Sequence, residues 1–281
     1  MKKSIITLVL LAFLLTSCNF PLMRATPDMN LVSTKVAATL SAAQTQSAPT
    51  MTPQVIVETP QPPTETPTIE PSLTTTSTHT ATPPAGDPSL TLGDPGFYET
   101  FSSGTSFGLA EPYEDDAVKI EVKNGSMVFR SLNINRGMRW RLTSRDPLNL
   151  YLEGTFKTLN CSGVDQYGIV MRAPTYSDGI GYYFGATCGG QYYLMRWDAG
   201  GQKSIVNLTT DSNLYAGSNQ TNRLGIMANG KTIRLYVNGK LVRELEDDGI
   251  TAKGYIGAFS SAKEDPNFTV HMEELKMWTL P

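Results

Sequence analysis

From Phe97 onward the chain is written in short stretches of alternating apolar and polar residues. Val118, Ile120 and Val122 alternate with Lys119, Glu121 and Lys123, and Met138, Trp140 and Leu142 alternate with Arg139 and Arg141. Leu224, Ile226 and Ala228 repeat the two-residue period, as do Ile233, Leu235 and Val237. Successive side chains of a strand point to opposite faces, so this pattern predicts half-buried β-strands; a helix would need a longer period. Asn124-Gly125, Asn229-Gly230 and Asn238-Gly239 punctuate the runs. Asn-Gly supplies the two positive φ values of a type I′ turn, so each predicts a hairpin. The last two, in succession, predict a three-strand meander over residues 224–245. Denser apolar runs at 150–156, 167–172, 182–186, 192–197, 254–259 and 268–278 complete the set. No segment after Gly96 offers a convincing helix. Roughly thirteen or fourteen short strands predict an all-β fold, and two packed sheets fill such a domain better than one barrel. Trp140, between Arg139 and Arg141, is expected in the core.

Upstream the pattern changes twice. Residues 49–95 are rich in Thr, Pro and Ser, as in Thr59-Pro60-Gln61-Pro62-Pro63 and Thr82-Pro83-Pro84. Such text buries too little apolar area to offset its ordering entropy and predicts an extended, partly polyproline chain. Residues 28–48 space Leu31, Val32, Val36 and Leu40 at loosely helical intervals, but short helices without a packing partner are marginal in water. Residues 18–95 are therefore expected to form a disordered low-complexity tether, and residues 96–281 the folded domain. The first residues carry Lys2 and Lys3, an apolar run over 5–15, and then Leu15-Thr16-Ser17-Cys18. That order is an export signal, and its apolar part is too short to span ~30 Å of hydrocarbon as a helix. It resembles a bacterial lipoprotein signal, with residues 15–18 as the lipobox. The resemblance implies that residues 1–17 are removed and that the Cys18 thiol carries diacylglycerol. The protein would then be extracytoplasmic and lipid-anchored to a bacterial cell membrane. Acyl burial contributes ~0.8 kcal/mol per CH₂, so two or three chains would hold it there durably.

Composition narrows the partners. The net charge of the 281 residues is −3, with no cluster of Lys and Arg, which excludes a nucleic-acid partner that would need concentrated positive charge. Once Cys18 is set aside, Cys161 and Cys188 remain. An even pair in an exported domain reads as a disulfide, the alternative being two buried free thiols. Closing that loop would contribute roughly 3–4 kcal/mol by constraining the unfolded chain.

Four segments carry a further resemblance. They are Phe97-Tyr98-Glu99-Thr100-Phe101-Ser102-Ser103-Gly104, Tyr167-Gly168-Ile169-Val170-Met171-Arg172, Ile233-Arg234-Leu235-Tyr236-Val237-Asn238-Gly239, and the closing run over 268–278. In order and spacing they resemble the concanavalin A-like lectin/glucanase superfamily, in particular its laminin-G-like jelly rolls and the module named for 3-keto-disaccharide hydrolases. Glu99 and Thr100 depart from the usual acidic pair, and Met272-Glu273-Glu274 stands for Phe-Asp-Asn. The resemblance implies a two-sheet jelly-roll sandwich whose concave face often holds carbohydrate. It also admits a calcium ion, with Asp115 and Asp116 as contributors; no other cofactor is expected. It does not imply activity.

No catalytic residue is assigned. Related family-16 glycosidases carry a Glu-x-Asp-x-x-Glu or Glu-x-Asp-x-Glu strand that sets carboxylates ~5–5.5 Å apart on one face. Here Glu111, Glu114, Asp115 and Asp116 surround a loop proline. Glu244, Glu246, Asp247 and Asp248 end a hairpin strand, and Glu273 and Glu274 should face opposite ways. His271 is the sole histidine after the tether, and no transition-metal ligand set is expected. Aromatic residues suggest binding instead. If Ile169, Tyr182 and Tyr192 face the core, Arg172, Tyr183, Tyr193 and Trp197 share the outer concave face. Rings that stack on sugar faces, with a charged donor beside them, suit glycan recognition. The expected function is non-catalytic binding of glycan or another surface polymer. The alternatives are an enzyme of the 3-keto-disaccharide hydrolase type and a structural module of the cell envelope. Cys18→Ser is expected to release the protein from the membrane fraction; retention there would refute the anchor.

Overall fold

The computed structural model describes residues 84–281, and every long element in it is a strand. The expectations for Cys18, the signal and residues 18–83 lie outside the described residues. The strands are β1 (Phe97–Glu99), β2 (Tyr113–Glu114), β3 (Val118–Lys123), β4 (Ser126–Ser131), β5 (Arg139–Leu142), β6 (Leu150–Thr158), β7 (Gln166–Ala173) and β8 (Gly181–Thr187). They continue as β9 (Gln191–Asp198), β10 (Gly201–Thr210), β11 (Thr221–Asn229), β12 (Thr232–Val237), β13 (Lys240–Glu246), β14 (Tyr255–Ser261) and β15 (Thr269–Thr279). The only helical turns among the described residues are 3₁₀ turns at Pro88–Leu90 and Thr105–Phe107. All pairings are antiparallel and form two sheets. The larger runs β13-β12-β11-β6-β15-β4-β3-β2, with β1 beside β15, and the smaller runs β10-β9-β8-β7-β14-β5. The fold is the expected two-sheet jelly-roll sandwich.

The turns follow their sequences with one shift. Asn124-Gly125 and Asn238-Gly239 sit at the centres of their two-residue loops with φ of 52°, 72°, 49° and 80°, as a type I′ turn requires. Between β11 and β12 the pairing of Asn229 with Thr232 makes Gly230-Lys231 the central pair instead. Two strands carry no clear period in the sequence. β2 has two residues, and β10 exposes most of both faces, with register irregularities on either side of Val206.

The core lies between the sheets. Ile120, Phe129, Leu152, Phe156, Leu224, Ile226, Leu235 and Met272 come from the larger sheet, and Ile169, Met171, Tyr182, Phe184, Tyr192 and Leu194 from the smaller. Each such burial contributes about 1.5–3 kcal/mol relative to exposure. Gly154 lets the layers close: a Cβ there would lie 2.9 Å from Ile169 Cγ2 and 2.9 Å from Met272 Cε. Cys161 and Cys188 form the expected disulfide, with Cα atoms 5.3 Å apart. Beside it the buried Asp165 Oδ1 accepts from the backbone N–H groups of Lys263 (2.7 Å) and Glu264 (2.8 Å), fixing the loop between β14 and β15.

Two expectations need correction. The folded body begins before Gly96. Asp87 is buried and ion-paired with Arg223, which also reaches Glu153 Oε1 at 3.4 Å, and Trp278 Nε1 donates to the Gly93 carbonyl at 2.8 Å. Residues 87–93 thus strap the outer face of the larger sheet over Tyr151, Tyr236 and Trp278, where Leu92 packs. The sequence around them reads as tether because its anchors are two polar contacts, not an apolar run.

Arg172 is not on the outer face. β7 carries an extra residue opposite β14, where Val170 pairs with Gly257 but Ala173 with Tyr255. This bulge, with Arg172 at φ 56°, breaks the alternation and leaves the side chain 1% exposed. Its guanidinium donates to the carbonyls of Ile250 (2.8 Å), Gly230 (2.7 Å) and Leu148 (3.3 Å), tying three connections at one end of the sandwich. Burial lowers its pKa.

Arg172→Leu should strand those carbonyls and lower stability by about 2–4 kcal/mol, read as a fall in the denaturant midpoint; an unchanged midpoint would refute the brace. Thiol labelling of the unfolded, unreduced protein should leave Cys161 and Cys188 unmodified, and labelling of either would rule out the bridge.

Candidate functional site

The smaller sheet is apolar on both sides. Alternation along β7, β8, β9 and β14 sends Ile169, Tyr182, Phe184, Tyr192, Leu194 and Ala258 into the core. It sends Val170, Tyr183, Tyr193, Met195 and Phe259 outward into a separate buried cluster, edged by Met138, Trp140, Trp197 and Tyr255. The pairing places Val170 beside Tyr183 and Tyr183 beside Met195. Tyr183 meets Trp140 and Phe259 edge-on, with centroids 6.4 Å and 5.4 Å away. Tyr193 lies across Gly185, where a Cβ would come within 2.5 Å of its ring. Tyr183 donates its hydroxyl to the Gly179 carbonyl (2.7 Å), and Tyr193 to Gln166 Oε1 (3.0 Å). Burial pushes both phenols above the ordinary tyrosine range, so they remain neutral donors near neutral pH.

A cleft of 590 Å³ opens on this face. Tyr193, Met195 and Trp197 of β9 line it together with Met138, Val206 and Leu208; the polar lining comes from Gln166, Gln202, Ser204, Asn207, Ser261 and Lys263. Ser204 Oγ donates to Asn207 Oδ1 at 2.7 Å, which orients that amide. Among the described residues, no carboxylate side chain lines the cleft. At the β5 edge of the same sheet lies a hollow of 370 Å³ lined by Tyr113, Trp140, Arg141 and Tyr176, with Phe107 and Glu111 also bordering it. Trp140 is therefore not in the core. It pairs with Phe259 on the outer face, stays half-buried, and donates Nε1 to the Tyr176 carbonyl at 3.0 Å.

The structure brings together three of the four residues singled out from the sequence. Tyr183 supports the face from below, Tyr193 and Trp197 line the cleft, and Arg172 braces loops elsewhere. Sequence reasoning missed Gln202, Ser204, Asn207 and Leu208, all on the unforeseen β10. The Gly200-Gly201 pair after β9 is the turn signal that would have found them. It also missed Met138, Gln166 and Lys263, which reach the cleft through the fold.

Several of the acidic residues are engaged elsewhere. Asp115 pairs with Arg139 and accepts from the N–H groups of Ala117 and Val118 (both 2.9 Å) and from the Tyr113 hydroxyl (3.0 Å). Burial alone would raise its pKa, but these donors outweigh it and hold the group at about 2. Asp116 faces Arg136 and Arg139 at 3.7 Å and 3.4 Å. Arginines thus face both carboxylates that the resemblance offers to a calcium ion, and no group of three or more His, Cys, Asp or Glu converges among the described residues. Glu244 pairs with Arg234, Glu246 with Lys231 and Asp247 with Arg196, while Glu274 bonds Lys276 and Tyr98.

No protein-family model and no curated protein matches the sequence. Solved structures do resemble it in shape. A protein of unknown function with a galectin-like fold from Bacillus subtilis has a TM-score of 0.50 at 10% identity, over 66% of this chain and 96% of that one. A Bacillus licheniformis beta-glucanase gives 0.49 at 12%, over 67% and 99%. The carbohydrate binding module CBM66 from Bacillus subtilis gives 0.46 at 15%, over 54% and 86%. The likeness to the galectin-like protein is one of fold, and the described residues form a two-sheet jelly-roll sandwich.

Proposed function

We propose that this protein is a non-catalytic glycan-binding module, displayed outside the cytoplasm by a lipid on Cys18. The observation that carries the reading is the cleft: an aromatic and thioether surface edged by amides and hydroxyls. The exposed part of Trp197 offers a sugar ring a stacking face, and Gln166, Gln202 and Asn207 offer paired donors and acceptors to its hydroxyls. Glycoside hydrolysis of the usual kind needs two carboxyl groups flanking the bond, ~5–5.5 Å apart for retention and ~6.5–9.5 Å for inversion. Among the described residues the cleft is lined by none. The anchor rests on the signal-like text ending in Cys18.

A glycan array probed with the full-length protein tests the reading. The parent should bind a defined set of glycans, and Trp197→Ala should weaken that binding about tenfold or more, as loss of a central aromatic contact does. Its melting temperature should stay near the parent's. A parent that binds nothing on the array, or a folded variant that binds equally well, would sink the proposal.

A further inference from the structure

Two cations that form no ion pair among the described residues line hollows at the smaller sheet. Lys263 lines the 590 Å³ cleft. The ion-paired lysines among the described residues are Lys119, Lys203, Lys231, Lys253 and Lys276, and Lys263 is not one of them. Arg141 lines the 370 Å³ hollow and an adjoining one of 280 Å³. It forms no ion pair among the described residues; its neighbour Arg139 holds Asp115 instead. The Arg141 guanidinium carbon lies 3.8 Å from the Tyr113 ring centre, and Nη1 donates to the Trp140 carbonyl at 3.0 Å. One face of the fork is thus fixed on the Tyr113 ring, and Nη1 is spent on the Trp140 carbonyl. Burial lowers its pKa, although an arginine stays charged. Glu111, at the exposed edge, is the one carboxylate bordering the 370 Å³ hollow.

The 280 Å³ hollow shares wall residues with each of the other two. Met138 borders both the 590 Å³ cleft and the 280 Å³ hollow, and Tyr113, Trp140, Arg141 and Tyr176 border both hollows. Trp140 pairs with the outward Phe259 and Arg141 with the inward Ala258, so these walls turn around the β5 edge between Lys263 and Arg141. We propose that these walls form one path around the β5 edge and that it takes an acidic glycan chain, with anionic substituents, carboxylate or sulfate, engaged by Lys263 at one end and Arg141 at the other. The inference rests on the glycan reading of the cleft and adds to it a second subsite and the charge class of the ligand. A guanidinium edge offers two parallel N–H donors to a carboxylate or sulfate, whereas Lys263 supplies a point charge. Trp140 and Tyr176 give a sugar ring between them apolar contact.

Calorimetry on the full-length protein in detergent, with tetragalacturonate, a κ-carrageenan tetrasaccharide and neutral cellotetraose, tests this. One acidic probe should bind about tenfold or more tighter than the neutral one and weaken as salt rises, its identity distinguishing carboxylate from sulfate. Arg141→Gln and Lys263→Gln should each weaken acidic binding about tenfold, Arg141→Lys by less, with melting temperatures retained. Equal affinity for neutral and acidic probes overturns the acidic assignment and leaves the glycan reading standing. Acidic binding lost in Trp197→Ala but untouched in folded Arg141→Gln overturns the second subsite. If none of the three probes binds and the array holds only neutral hits, the inference falls alone; an array without any hit removes the glycan reading as well.

Discussion

Everything on this molecule's candidate site depends on a sheet that must be apolar on both sides. β7, β8 and β9 put one set of side chains into the core and the opposite set, Val170, Tyr183, Tyr193 and Met195, into an outer cluster nearly as dry. A strand in that position cannot alternate apolar with polar, and its text becomes a dense aromatic run such as Tyr192-Tyr193-Leu194-Met195. The second apolar layer gives Trp197 and Trp140 a firm base, so rings at its margin are held in place without closing over the surface. Buried hydroxyls there are matched to Gly179 and Gln166, which spares the face the cost of unpaired polar groups.

The other sheet handles its outer side differently. Tyr151, Tyr236 and Trp278 are covered by the chain's own residues 87–93, clasped through Asp87, Arg223 and Glu153. Two carboxylates share one guanidinium there, and burial raises the Glu153 pKa. The contrast explains why a cleft opens on the smaller sheet. One outer face is roofed by residues 87–93, and among the described residues nothing roofs the other.

Buried charge in this domain is used to hold connections. Arg172 donates only to backbone carbonyls, and Asp165 accepts backbone N–H groups, so each binds loops together at an end of the sandwich. A charge taken from water is tolerated only where such bonds replace hydration. This accounting gives Arg172 and Arg141 opposite roles although both lack a carboxylate. Arg172 spends its fork on three carbonyls, whereas Arg141 spends one N–H on Trp140, lies on the Tyr113 ring and lines two hollows.

The residue pattern by itself determined the all-β class, the meander ending in β13, the disulfide partners and the inward set of Ile169, Tyr182 and Tyr192. These follow from local rules: a period of two, the φ demands of Asn-Gly, and the parity of thiols. Tertiary structure alone decided the rest. One extra residue in β7 removed Arg172 from the face that parity assigned it, because alternation holds only while the ladder is unbroken. β10 escaped notice because an edge strand bathed on both sides needs no periodic text, yet it supplies half the cleft's polar lining. Trp140 reads as core because an apolar position records only that it leaves water, not which of two dry faces receives it.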